Sequence, residues 1–149
     1  MLVIKIGGAA GIDSDAITAD VAAHAQAGNQ LVIVHGGSAL ATELGEQLGY
    51  PPRFVTSVSK HTSRYTDRRT LDIYLMATAL RNRQLVAELQ TLGVSAAGLS
   101  GLDGQMLLAQ RKATLRIVEN GKHKILRGDY TGRIQKVNPT LLRALLDSG

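Results

Sequence analysis

Two glycine pairs, each at the end of a short apolar run, are the residues in this sequence best placed to do chemistry. The first run is Leu2-Val-Ile-Lys-Ile6, followed by Gly7-Gly8. The second is Leu31-Val-Ile-Val34, followed by His35-Gly36-Gly37-Ser38. A strand that stops at Gly-Gly just before a helix turns backbone N–H groups toward whatever lies beyond the sheet edge, and anions bind at such places. Lys5 adds a full positive charge to the first turn. The two turns together predict a site for a phosphate or a carboxylate. Burying an ammonium group is costly without a counter-charge, so Lys5 either snorkels at the strand edge or meets a phosphate; beside Gly7-Gly8 we read it as a phosphate contact. Neither turn has the G-x-x-x-x-G-K-[ST] or the G-x-G-x-x-G spacing of the common nucleotide loops. A Gly-Gly pair alone also serves any strand–helix loop that needs positive φ.

The elements that must position these turns follow from the pattern around them. A helix capped by Asp13 or Ser14 carries Ile17, Val21 and Ala25 on one face and ends at Gly28. A second helix begins near Ser38, carries Leu40, Leu44 and Leu48, and is stopped by Gly49 and Pro51-Pro52. This β-α-β-α opening predicts a parallel sheet covered by helices. Residues 53–63 are polar and lack a helical period, which suggests a loop or a hairpin excursion. Asp67 caps a helix carrying Leu71, Leu75 and Ala79, joined at Arg81-Asn82 to a second helix that ends near Gly93. A third strand is expected at about Val94 to Ala97, running into Gly98-Leu-Ser-Gly-Leu-Asp-Gly104. That loop's glycines read as structural rather than substrate-facing. Asn120-Gly121 predicts a hairpin turn between strands at 115–118 and 123–126. Asn138 caps a last helix with Pro139 at its first position, Leu141, Leu142, Leu145 and Leu146 on its apolar face, and Gly149 at its C-cap. In a doubly wound sheet a parallel strand should come next, so the chain is expected to stop within a crossover unit.

Composition bounds the function. At 149 residues this is one domain by size. Apolar residues make up 44%, but there is a single Phe and no Trp, so the core must rest on Leu, Ile, Val and Ala. The absence of cysteine rules out disulfides and thiolate metal sites and fits a cytoplasmic protein. No signal peptide and no run of the ~20 apolar residues needed to span a bilayer is visible. A net charge of +5 suits an acidic partner or substrate. With 3% aromatic residues there is little to stack bases on, which argues against nucleic acid.

The combination of motifs is more specific than any one of them. Val3-Ile-Lys-Ile-Gly-Gly8, His35-Gly-Gly-Ser38, Arg64-Tyr-Thr-Asp67 and Gly98-Leu-Ser-Gly-Leu-Asp-Gly104, in this order and spacing, resemble the amino acid kinase superfamily, N-acetylglutamate kinase branch. Pro51-Pro-Arg-Phe54, Ser63-Arg-Tyr-Thr-Asp-Arg-Arg-Thr70 and Arg127-Gly-Asp-Tyr-Thr-Gly-Arg133 look like the carrier-dependent LysW-aminoadipate and LysW-glutamate kinases, the LysZ family. The resemblance implies a three-layer α/β/α sandwich with a mainly parallel sheet and a β-hairpin excursion. It implies that Lys5 neutralises charge on the transferring phosphoryl group and that Gly7 and Gly8 let backbone amides approach the phosphates. Gly36 and Gly37 would face the acceptor carboxylate or the transferred phosphoryl. Ser38 stands where the family often has a third glycine, and would also serve as an N-cap. Arg64 matches the arginine that grips the α-carboxylate of the amino-acid moiety, a task suited to the guanidinium fork; its bland alternative is an ion pair with Asp67 or Asp72. His35 at a strand end could act as a base, but the family does not require one.

Family members are about twice this long, and their second half binds ATP. The resemblance therefore implies that residues 1–149 are the acceptor-binding half, using ATP and Mg²⁺ with the ATP-binding half absent. It implies a small acidic carrier protein as partner and a homo-oligomer, with neither nucleic acid nor membrane involved. Arg53, Lys60, Arg68 and Arg69, with Lys122, Lys124 and Arg127 as a second group, are the residues expected to hold such a carrier. Two other readings stand beside this one. N-acetylglutamate kinase would use a free small acceptor, and a truncated binding module would have no catalysis.

Overall fold

The computed structural model describes residues 1–148; the expected cap at Gly149 lies outside them. Strands β1 (Leu2–Ile6) and β2 (Leu31–His35) pair in parallel, in the register Leu2↔Leu31 through Ile6↔His35. Between them runs helix α1 (Ser14–Gln26), and after them helix α2 (Ser38–Gln47). Asp13 caps α1 by accepting from the Ala16 amide at 3.0 Å. Gly37, not Ser38, occupies the N-cap of α2, and it supplies no side-chain hydrogen bond. Ser38 is already the first residue of the helix, so its hydroxyl is released for other partners.

The excursion is a hairpin. Strand β3 (Phe54–Ser57) pairs antiparallel with β4 (Thr62–Arg64) and, on its other side, with β6 (Leu115–Glu119), which pairs with β7 (Lys122–Leu126) in the order β4-β3-β6-β7. Asn120 and Gly121 both have positive φ, 51° and 73°, which is the geometry of the turn their sequence predicts. Strands β5 (Leu107–Arg111) and β8 (Gly132–Val137) form a separate antiparallel ladder, and α4 (Thr140–Ser148) follows.

Helix α3 (Arg68–Thr91) is one continuous helix of 24 residues, with no break at Arg81-Asn82. Nothing in that dipeptide interrupts the i→i−4 ladder, since both residues form helix readily enough. Its buried face is Thr70, Ile73, Ala77, Leu85 and Leu89 rather than the expected Leu71, Leu75 and Ala79; Leu75 is exposed. Helices α1 and α2 both pack along α3. In α2 the buried residues are Ala41 and Gly45, because the Tyr50 carbonyl would lie 2.8 Å from any Cβ at position 45. Close approach selects small residues there, and Leu48 is left exposed.

The expected strand at 94–97 does not form. Val94, Ala96 and Gly98 are half-buried while Ser95 and Ala97 are exposed, the period of an extended chain, yet no described strand pairs with it. Small residues of low strand propensity stay unpaired when no neighbour supplies a ladder. The central parallel sheet accordingly has two strands among the described residues, and the remaining ladders are antiparallel. One face of it, carrying Ile4, Ile6 and His35, turns toward α3, whose Asn82 reaches His35. The other face carries Val3, Lys5 and Val34, all exposed.

Candidate active site

The two glycine turns touch. A Cβ at Gly8 would lie 2.6 Å from the Gly37 nitrogen and 2.8 Å from the Ser38 nitrogen, and one at Gly36 would lie 2.8 Å from both Gly8 Cα and N. No side chain fits between these backbones, which is the physical requirement for glycine at both places. The contact is fastened by hydrogen bonds from the Ala39 amide to the Gly8 carbonyl, 2.7 Å, and from the Gly36 amide to the Ile6 carbonyl, 3.0 Å. One amide of the first turn of α2 therefore ties the turns together instead of facing outward. The N-terminus of α2, with its partial positive charge, opens at this junction.

Lys5 is one residue upstream of Ile6, on the exposed sheet face, opposite Val34. β1 is exposed along most of its length, and the Lys5 side chain stands in solvent at the strand end. Gly7 is exposed beside it, with the Ile12 side chain 3.1 Å from where its Cβ would be.

Arg64 comes to the junction from the opposite side. It ends β4, an edge strand, and its Nη2 donates to the Ser38 carbonyl at 3.0 Å, to Ser38 Oγ at 3.4 Å and to Thr42 Oγ1 at 2.8 Å. Its guanidinium lies 5.2 Å over the Phe54 ring. Burial lowers its pKa from the usual arginine value, with the Tyr74 phenol acting the other way; a guanidinium keeps its proton throughout. The alternative pairing with Asp67 or Asp72 is not what forms. Asp72 pairs with Arg68 at 3.1 Å, and Asp67 caps α3 through the Thr70 amide at 2.8 Å while accepting from Tyr50 at 2.6 Å. Burial pushes the Asp67 carboxyl up, but the hydrogen bonds from Tyr50 and Thr70 prevail and hold it below the ordinary value.

Ser38 links the two halves of the site. On one side of it Ala9, Ala10, Ala39, Thr42, Glu43 and Glu46 line an open depression. On the other, Phe54, His61, Arg64, Thr66, Tyr74 and Thr131 line a cleft of about 510 Å³. The cleft offers one guanidinium, several hydroxyls and two aromatic walls, a setting for a carboxylate on an aliphatic chain. Thr42, Tyr74 and Thr131 were not singled out by the sequence reading. Thr42 was legible in principle, since it lies four residues from Ser38 on the same helix face; Tyr74 and Thr131 come from elements whose placement the pattern does not give. The glycines of the Gly98–Gly104 segment are closely packed. A Cβ at Gly98 would overlap Asn82, one at Gly101 would lie 2.8 Å from Leu107, and Asp103 closes the loop by accepting from the Ser100 amide at 2.6 Å.

The sequence profile of the amino acid kinase family matches residues 1–149, the whole chain. The chain belongs to the amino acid kinase family. Among its relatives, the "[LysW]-aminoadipate kinase" of Deinococcus radiodurans is 53% identical over 150 residues, covering 100% of this chain and 51% of that protein. The "[LysW]-aminoadipate kinase" of Thermus thermophilus is 48% identical, with 100% and 56% covered. This chain thus spans about half the length of the curated relatives it matches. The solved structure of smu.665 from Streptococcus mutans superposes with a TM-score of 0.72 at 24% identity, over 98% of this chain and 54% of that one. It shares this chain's fold without close sequence likeness.

Proposed function

We propose that this chain is the acceptor-binding half of a carboxylate kinase, one that phosphorylates the side-chain carboxylate of 2-aminoadipate or glutamate carried on a small acidic protein. The observation that carries this reading is the convergence at Ser38 of two interlocked glycine turns and the Arg64 guanidinium. Relatives at up to 53% identity bear the name [LysW]-aminoadipate kinase, which supports the carrier-linked acceptor over free N-acetylglutamate.

The chemistry follows from the geometry. Arg64 grips the α-carboxylate of the acceptor in the cleft, and its ties to Ser38 and Thr42 fix the fork before the acceptor arrives. The aliphatic stem runs past Tyr74 and Phe54, so that the side-chain carboxylate reaches the glycine junction. ATP supplies the phosphoryl group. The phosphoryl end of such a nucleotide fits beside the exposed Gly7 turn and Lys5, at the positive N-terminus of α2. Lys5, exposed at the end of β1, places its ammonium where negative charge builds between donor and acceptor. Phosphoryl transfer asks for little more than such positioning and charge stabilisation. Mg²⁺ would offset the remaining phosphate charge, held by groups other than the residues named here.

The test is trapping of the acyl phosphate as a hydroxamate. The chain alone should give none with ATP, Mg²⁺ and the carrier-linked acceptor. Completed with the second half of the Deinococcus radiodurans relative, it should give hydroxamate at a rate that depends on the carrier. Steady turnover by the chain alone would defeat the half-enzyme reading.

A further inference from the structure

Asp129 is a buried carboxylate, 3% exposed, in the loop between β7 and β8. Burying a carboxylate is costly unless hydrogen bonds satisfy it. Its Oδ2 accepts from the Thr66 amide at 3.0 Å, and its Oδ1 accepts from the Thr131 amide at 2.7 Å and from the Thr131 hydroxyl. The next residue completes a two-point clamp, since the Tyr130 amide donates to the Thr66 carbonyl at 2.7 Å. Thr66 in turn donates its hydroxyl to the Arg64 carbonyl at 3.2 Å.

The loop is itself held. Arg111 Nε donates to the Asp129 carbonyl at 2.7 Å, its guanidinium lies 3.7 Å from the centre of the Tyr130 ring, and the Tyr65 hydroxyl donates to the Arg127 carbonyl at 2.7 Å. Arg64 stands at the end of a three-residue edge strand, with a link of three residues before α3 in which Tyr65 donates its amide to the Arg53 carbonyl at 2.8 Å. Such a strand end has little to fix it on its outer side. Asp129 supplies that side. It does not line the acceptor cleft, yet it binds the backbones of Thr66 and Thr131, which do, together with Arg64.

We propose that Asp129 is a positioning residue for Arg64: it pins the 65–66 segment so that the guanidinium points at Ser38 and Thr42 when the cleft is empty. The value of this for acceptor binding rests on the function proposed above, whereas the pinning itself does not. A preorganised fork spends less of its binding free energy on ordering.

The experiment uses the full chain with Asp129→Asn, which keeps one acceptor oxygen, and Asp129→Ala, which keeps none. Amide exchange at Thr66 should quicken at least tenfold in Asp129→Ala and less in Asp129→Asn, while amides of α1 keep their protection and report an intact fold. The NMR order parameter of Arg64 Nε should fall in both. Affinity for N-acetyl-2-aminoadipate should weaken about tenfold in Asp129→Asn, and Arg64→Ala should erase that difference. An unchanged Arg64 signal in both variants, or losses from Asp129→Asn and Arg64→Ala that simply add, would overturn the proposal. If α1 protection is lost in Asp129→Ala, Asp129→Asn alone decides. If Arg64→Ala leaves probe affinity unchanged, the acceptor reading fails, and the Arg64 signal in Asp129→Asn still decides whether Asp129 positions it.

Discussion

In the function proposed above, Lys5 and Arg64 divide the work of the site between charge in transit and charge at rest. Lys5 stands exposed on the open sheet face, and in that proposed function its ammonium follows the phosphoryl group. In the completed enzyme Lys5→Ala should lower kcat by the equivalent of about 3–4 kcal/mol with little change in acceptor KM, the pattern of an interaction made mainly in the transition state. Steady-state kinetics check this, and an unchanged kcat would reduce Lys5 to a surface lysine. In the same proposed function, Arg64 holds a carboxylate that carries its charge before and after reaction. Arg64→Ala should raise acceptor KM about tenfold or more, since a charged hydrogen bond contributes roughly 1.5–3 kcal/mol. Arg64→Lys should recover only part of this, because an ammonium cannot bond Ser38 and Thr42 while also presenting a planar fork to the ligand.

At the scale of elements, the glycine junction and the start of α3 are the places where a single atom matters most. Gly8→Ala puts a methyl 2.6 Å from the Gly37 backbone, which has no flexible end to yield. Overpacking of this kind costs about 1–3 kcal/mol, and urea denaturation should show it together with loss of acceptor binding. Asp67 both caps α3 and accepts from Tyr50. Its pKa is held below the ordinary value, so its contribution is fully present above the unfolded pKa of about 3.9 and is lost as pH falls through the lower folded value. Asp67→Ala should therefore destabilise by about 1 kcal/mol at pH 7, and the gap to the native chain should shrink only below about pH 4.

The same elements show what the sequence could and could not convey. The glycine pairs, the caps at Asp13 and Asp67 and the turn at Asn120-Gly121 were legible because each is a local requirement of backbone or hydrogen bond. The buried face of α3 was not, because Leu71 and Leu75 match the helical period as well as Ile73 and Ala77 do, and only the placement of α1 and α2 decides between them. The strand at 94–97 was misjudged for a similar reason: its residues alternate correctly, but a strand also needs a neighbour. Asp129 sat in plain view within Arg127-Gly-Asp-Tyr-Thr-Gly-Arg133. Its partner Thr66 is 63 residues away, a distance no local pattern spans.

For the whole molecule, the bare sheet face is the telling feature. Val3 is 64% and Val34 53% exposed on a parallel pair, and parallel sheets are normally covered on both sides. Among the described residues, the face carrying Val3, Lys5 and Val34 is left largely exposed. The basic residues assigned to the carrier are less free than the net charge suggests. Arg53 and Lys124 share Glu119, and Arg68 pairs with Asp72. Exposed pairs of this kind are worth little, about 0–1 kcal/mol, and a carrier carboxylate can compete for them. Reversing Arg68 and Arg69 to Glu should slow carrier association and flatten its dependence on salt, while leaving affinity for N-acetyl-2-aminoadipate nearly unchanged.

The central claim is that Arg64 and the glycine junction form a seat for the carrier-linked acceptor. Its most direct test is calorimetric titration of the chain with an acidic carrier protein bearing 2-aminoadipate, in the native form and as Arg64→Ala. Saturable one-to-one binding that weakens at least tenfold in the variant is expected. No binding at all, or binding of equal strength in both, would contradict it.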